Sequence, residues 1–122
     1  MNKKAVEAWL PAAFEALKQA GIVNDGIAPA EFSGYISSFG ASIIQSGLLP
    51  SVAFYERNDA GSKNDKAKLT KAILKIINKE ATDSNLLDYI IKNQNSSSNL
   101  KEDIINAAIA IKLAIRTFEL KK

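Results

Sequence analysis

Two pairs of neighbouring acids, Glu56 with Asp59 and Glu102 with Asp103, are the natural starting points for acid–base chemistry. Each pair falls at a helix end or in a polar stretch. There a carboxylate complements the helix dipole or solvates the surface, so neither spacing argues for catalysis. The chain has no histidine and no cysteine. This excludes serine–histidine–aspartate and cysteine–histidine triads, thiolate metal sites, disulfides and histidine-held haem. Carboxylate, lysine, tyrosine or hydroxyl chemistry remains. No P-loop, dinucleotide fingerprint or calcium loop is present. The expectation is a non-enzyme without cofactor or metal.

Basic residues are more informative. From Arg57 to Lys79 there are seven of them (Arg57, Lys63, Lys66, Lys68, Lys71, Lys75 and Lys79) against Asp59 and Asp65, a net +5. The rest of the chain sums to −2, so this one stretch holds the whole positive excess behind the net +3. A patch of that kind attracts a polyanion; the plainer reading is a solvated helix face. Lys112 and Arg116 lie four apart late in the chain, with Glu119 next along. Arginine is scarce, only Arg57 and Arg116, and its planar fork suits bidentate contact with a carboxylate or a phosphate. An internal ion pair and a phosphate contact are equally open for Arg116.

The elements that must position these residues are helical throughout. Val6, Trp9, Leu10, Ala13, Phe14 and Leu17 form a 3.6-residue stripe ended by Gly21. Pro11 either kinks that helix near Leu10 or starts it. Residues 22–28 read as a connector, and Pro29 suits the first position of a second helix running to about Ser46, closed by a left-handed Gly47. Gly34, Ser37, Ser38 and Ala41 suggest one face of that helix approached closely by another, which would compensate for Gly40. Pro50 opens a short third helix. Ser62 with Asp65 marks the start of a fourth, reaching about Glu80. On it Leu69, Ala72, Ile73, Ile76 and Ile77 make one stripe, and Lys68, Lys71, Lys75 and Lys79 an adjacent one. A fifth helix, Leu86 to Lys92, is capped by Asp83 or Ser84. After the low-complexity stretch 93–99, Asn99 and Glu102 resemble a capping box for a last helix over about 100–119.

That last helix is apolar nearly all round between residues 104 and 115, as expected of the centre of a bundle. Strand signals are weak, with Ser51 to Tyr55 the sole candidate. Trp9, Phe14, Phe32, Phe39, Phe54 and Phe118 are expected in the core, and Tyr35, Tyr55 and Tyr89 partly exposed. The fold expected is all-α: a single domain over residues 1–122, a bundle of about five to six helices. The start of the chain is broken by Glu7, Pro11 and Glu15, unlike a signal peptide, and the most apolar run is too short to span a bilayer. A soluble cytoplasmic protein is expected.

The stretch from Tyr35 to Tyr55 adds a family. Its Ile44-Gln45-Ser46-Gly47-Leu48 turn, followed by Val52-Ala53-Phe54 at the centre of a short helix, resembles the small helical subunit of the type III-B (Cmr) CRISPR effector complex. The ending from Ala108 to Leu120, apolar with a late basic pair, is similar to the family's last helix. The resemblance implies a non-catalytic antiviral role. Members lie along the guide and target RNA beside larger subunits of the Cmr effector complex and can self-associate into a short filament. On this reading Lys68, Lys71, Lys75, Lys112 and Arg116 face RNA, neutralising phosphates while guide pairing reads the bases. The rival is a helical protein–protein adaptor without nucleic-acid binding, whose lysines are merely solubilising.

Overall fold

The computed structural model describes residues 2–57, 66–83, 85–93 and 99–122. Among them the chain forms six helices: α1 (Lys3–Gln19), α2 (Glu31–Ser46), α3 (Leu48–Glu56), α4 (Ala67–Ile77), α5 (Leu86–Lys92) and α6 (Leu100–Ile115). Two three-residue strands, β1 (Ile27–Pro29) and β2 (Glu119–Lys121), pair in parallel. The architecture is the expected all-α bundle with this small addition.

Helix α6 takes the centre because it is apolar on nearly every side. It packs against α1, α2 and α4. Its alanines at 107, 108, 110 and 114 are buried and let those neighbours come close, while Ile104, Ile111 and Ile115 are fully enclosed. Complete burial of each such isoleucine stabilises the fold by about 2–3 kcal/mol. The one buried amide on α6, Asn106, serves the N-terminus of the chain. Its Oδ1 accepts the backbone N–H of Asn2 at 3.1 Å. Asn2 in turn caps α1, its side chain accepting from the N–H groups of Lys4 and Ala5.

Pro11 neither breaks nor starts α1, which runs through it. The proline is exposed, on the side away from the core stripe of Val6, Ala13, Ala16 and Leu17. Burial of that stripe and firm ends outweigh the lost backbone bond. At the C-terminus, Gly21 adopts φ +79°, and the N–H groups of Ile22 and Gly21 reach the carbonyls of Leu17 and Lys18 at 3.0 and 3.1 Å. This is a Schellman cap, and Ile22 and Leu17 complete it as fully buried neighbours.

Several expected boundaries change. Residues 22–28 are not a plain connector. Asp25 (φ +55°) and Gly26 (φ +78°) form a tight reversal in which Asn24 and Ile27 exchange backbone hydrogen bonds at 2.9 and 3.1 Å, a type I′ pattern. Pro29 lies in β1, not at a helix start, and α2 opens one residue after Ala30. Its fixed φ suits an extended edge strand as well as a helix. The last helix ends at Ile115, short of 119. Thr117 closes it, its hydroxyl donating to the Ala114 carbonyl at 2.7 Å. Phe118 then packs edge-on against Phe14, and residues 119–121 join β1. Ser51 to Tyr55 is helical, so the sole strand candidate in the sequence falls within α3.

Two caps also differ. Asn85 caps α5, accepting the Asp88 N–H at 2.8 Å, in place of Asp83; Ser84 lies outside the described residues. Asn99 occupies the N-cap of α6 but its side chain makes no capping bond there. Ser62 and Asp65 lie outside the described residues, and α4 ends at Ile77, before Glu80. Gly47 has positive φ as expected, but its ψ of 166° is extended, not left-handed helical. One glycine thus ends α2, donating to the Ile43 carbonyl at 2.9 Å, and begins α3.

Candidate nucleic-acid interface

Helix α4 divides cleanly along its length. Leu69, Thr70, Ala72, Ile73, Leu74 and Ile76 are buried, whereas Lys71 is exposed and Lys68 and Lys75 are half-buried. A lysine in such a place covers apolar surface with its stem and keeps its ammonium in water. Lys68 reaches towards the end of α1: its Nζ lies 3.9 Å from where a Cβ on Gly21 would stand. There it complements the negative end of the α1 dipole. Lys71 lines a cleft of about 190 Å³ between α3, α4 and α5, with Glu56, Ala67, Thr70 and Asn85.

Lys112 and Arg116 are elsewhere. Lys112 is half-buried at a groove of about 240 Å³ between α2 and α6, floored by Ile36, Gly40, Ala41, Ala108 and Ile109. Arg116 is the exposed C-cap of α6. Because the helix stops before Glu119, those two are no longer one turn apart on a helix, and no ion pair joins them among the described residues. The five residues therefore form two groups, three on α4 and two at the end of α6. The depressions holding Lys71 and Lys112 share no lining residue.

Glu56 is an acid in a cleft, and it is the acid that an enzyme would need. Burial pushes its carboxyl above the usual carboxylate range of about 4.5, partly offset by the Thr70 hydroxyl and the N–H groups of Leu87 and Leu86. Its two oxygens accept the Leu86 and Leu87 N–H groups at 2.9 and 3.2 Å. Both are thereby committed to the first turn of α5, thirty residues away in sequence. The carboxylate is a tether between helices. Its expected partner Asp59 lies outside the described residues. Burial likewise raises Asp103, with Glu102 adding to the effect, in the first turn of α6 where acids favour the dipole. Among the described residues no three metal-ligating side chains cluster.

The aromatics hold a feature that residue spacing did not reveal. Phe32 and Phe39 are core residues as expected, but Phe54 is half exposed and Tyr55 is buried, the reverse of the expectation. The Lys66 ammonium stands 5.1 Å from the ring centres of Tyr35 and Phe54 and 5.8 Å from Tyr55. Arg57 lies over Phe54, also at 5.1 Å. The three-residue step from Phe54 to Arg57 was a legible signal. The approach of Lys66 was not, because it needs α4 folded back onto α2 and α3.

The described residues form a helical bundle with one basic flank, a small all-α domain. The family comparison makes this specific: the model of CRISPR-associated protein (Cas_Cmr5) matches residues 9–114. The chain belongs to that family and is a small Cmr (type III-B) CRISPR effector subunit. No curated protein and no solved structure matches it. No helix among the described residues is long and apolar enough to cross a membrane.

Proposed function

We propose that the chain is a non-catalytic, cytoplasmic subunit of an antiviral ribonucleoprotein. It lies along the guide and target RNA through the basic flank of α4, beside other Cmr subunits. Lys68, Lys71 and Lys75 supply the principal phosphate contacts, and Lys112 and Arg116 a second, separate set. The observation that carries this reading is the row of Lys68, Lys71 and Lys75 along one flank of α4, Lys71 exposed and the other two half-buried, with no acid paired to any of them among the described residues. Such a flank neutralises phosphates without reading bases. The test is Lys71→Glu with Lys75→Glu in the assembled complex. RNA association should weaken and its dependence on salt should flatten; unchanged association refutes the reading.

The apolar groove between α2 and α6 favours a second reading, an adaptor that holds a partner helix and dispenses with RNA altogether. Ile44 at its edge is 81% exposed. Under that reading Ile44→Lys abolishes assembly, the lysine reversal does nothing, and association is insensitive to salt.

A further inference from the structure

Phe54 stands out from the rest of the surface. Its ring, on α3, is 50% exposed, and two cations lie over it, the Arg57 guanidinium and the Lys66 ammonium, each 5.1 Å from its centre. The surroundings are firmly built. The Tyr55 hydroxyl donates to the Tyr35 carbonyl at 2.7 Å. Tyr55 meets the buried Phe39 edge-on at 5.0 Å, and Tyr35 meets the buried Phe32 at 5.5 Å. These contacts fix two of the three rings around Lys66.

A half-exposed ring with cations close to it matches the needs of single-stranded nucleic acid. Every base has a face that stacks on an aromatic ring, and adjacent cations attract the flanking phosphates. The position is also continuous with the basic flank. Lys66 directly precedes α4, and the cleft lined by Lys71 is closed on the α3 side by Glu56, two residues beyond Phe54. A strand following the α4 lysines towards the start of that helix arrives at Phe54.

We propose that Phe54, with Arg57 and Lys66 beside it, is a stacking platform for an unpaired base of RNA lying along α4. This rests on the RNA-facing reading of α4 and adds a contact to the base, which phosphate neutralisation does not supply. Bases of every kind are accepted, because stacking on a phenyl ring reads no hydrogen-bonding edge.

The test measures binding of the full chain, at low ionic strength, to a single-stranded uridine oligomer and to an abasic ribose-phosphate oligomer of equal length. Phe54→Ala should weaken the uridine oligomer about tenfold, within the usual effect of losing one stacked base, and leave the abasic oligomer unchanged. Phe54→Leu keeps an apolar side chain without a π-face and carries the same expectation, which guards against a folding defect in the alanine variant. Equal weakening of both oligomers overturns the platform, since it marks disturbed placement of Lys66 and Arg57 instead. No weakening of either overturns it as well. If Lys71→Glu with Lys75→Glu weakens both oligomers while Phe54→Ala weakens neither, only the platform falls. If the wild-type chain binds neither oligomer, the RNA-facing reading falls and the platform with it.

Discussion

Helices α2 and α4 flank the same central α6, and each buries an apolar stripe against the rest of the bundle: Phe32, Ile36, Phe39 and Ile43 on α2, Leu69, Ala72, Ile73 and Ile76 on α4. Their outward sides differ completely. Helix α4 carries Lys68, Lys71 and Lys75. Helix α2 carries a single charge, Glu31, and turns Gly34, Ser37, Ser38, Ala41 and Ile44 to solvent. The contrast shows that burial sets where a helix lies, while its other half decides what it meets. A flank with three cations suits a polyanion; a neutral flank with no cation of its own offers phosphates no counter-charge.

The largest effect is expected at the α2–α3 corner. The backbone at Gly47, φ +93° and ψ 166°, lies in a region essentially reserved for glycine. Space is not the obstacle, because a Cβ there would meet the Pro50 ring at an ordinary 3.7 Å. Gly47→Val should therefore cost about 3 kcal/mol through strain alone, seen as a fall in melting temperature of roughly 10 °C. A melting temperature unaltered by Gly47→Val would contradict the conformation assigned to this corner.

Next comes the charged flank itself. Removing one phosphate contact at 0.1 M salt forgoes a counterion-release factor of about fivefold, so Lys71→Glu with Lys75→Glu should weaken RNA binding at least about 25-fold. The slope of log K against log salt should fall by about 1.4, with thermal stability unchanged. An equal loss from Ser37→Glu with Ala41→Glu on α2 would erase the distinction between the flanks.

A smaller effect is expected where α3 and α4 meet α5. Glu56→Gln leaves only one acceptor oxygen for the N–H groups of Leu86 and Leu87, a loss of about 1 kcal/mol. Its pH dependence has a definite sign. The folded-state pKa of Glu56 is raised, so the folded chain holds the proton more readily than the unfolded one. That contribution is full below the unfolded value near 4.5 and is lost as pH rises through the folded value. Urea unfolding should show the stability of wild type minus Glu56→Gln falling as pH rises from about 4.5 through the raised folded-state value. A difference that grows with pH would mean the N–H groups outweigh burial.

The smallest effect has the opposite sign. The small residues of α2 predict a close helix approach that compensates for Gly40, yet beyond the helix's own backbone and the chain neighbours no atom lies within 4 Å of where a Cβ would stand on Gly40. Gly40→Ala should stabilise the isolated chain by about 0.5–1 kcal/mol, measured by denaturant midpoint. Destabilisation would show that the helix is tighter there than its geometry indicates.

Much of this was legible in the chain itself. Helical periodicity gave α1, α2, α5 and the central place of α6, because those patterns are local and burial enforces them. Gly21 marked its cap, since few other residues tolerate that backbone. The turn at Ile44 to Leu48 and the Ala53-Phe54 helix pointed to the family that residues 9–114 then matched. The lysine stripe, too, was visible as a run of charge.

Tertiary structure decided what depends on distant partners. β1 exists only because residues 119–121 return to it across nearly the whole chain, and a three-residue strand has no pattern of its own. The end of α6 at Ile115 follows from the same pairing, and it separates Arg116 from Glu119. The role of Glu56 required α5 to arrive thirty residues later. Phe54 and Tyr55 are adjacent apolar rings, and only the packing of α3 determined which would face water. Composition and period determine which surfaces must be hidden; which groups then meet depends on contacts between residues far apart in sequence, and these no local window contains.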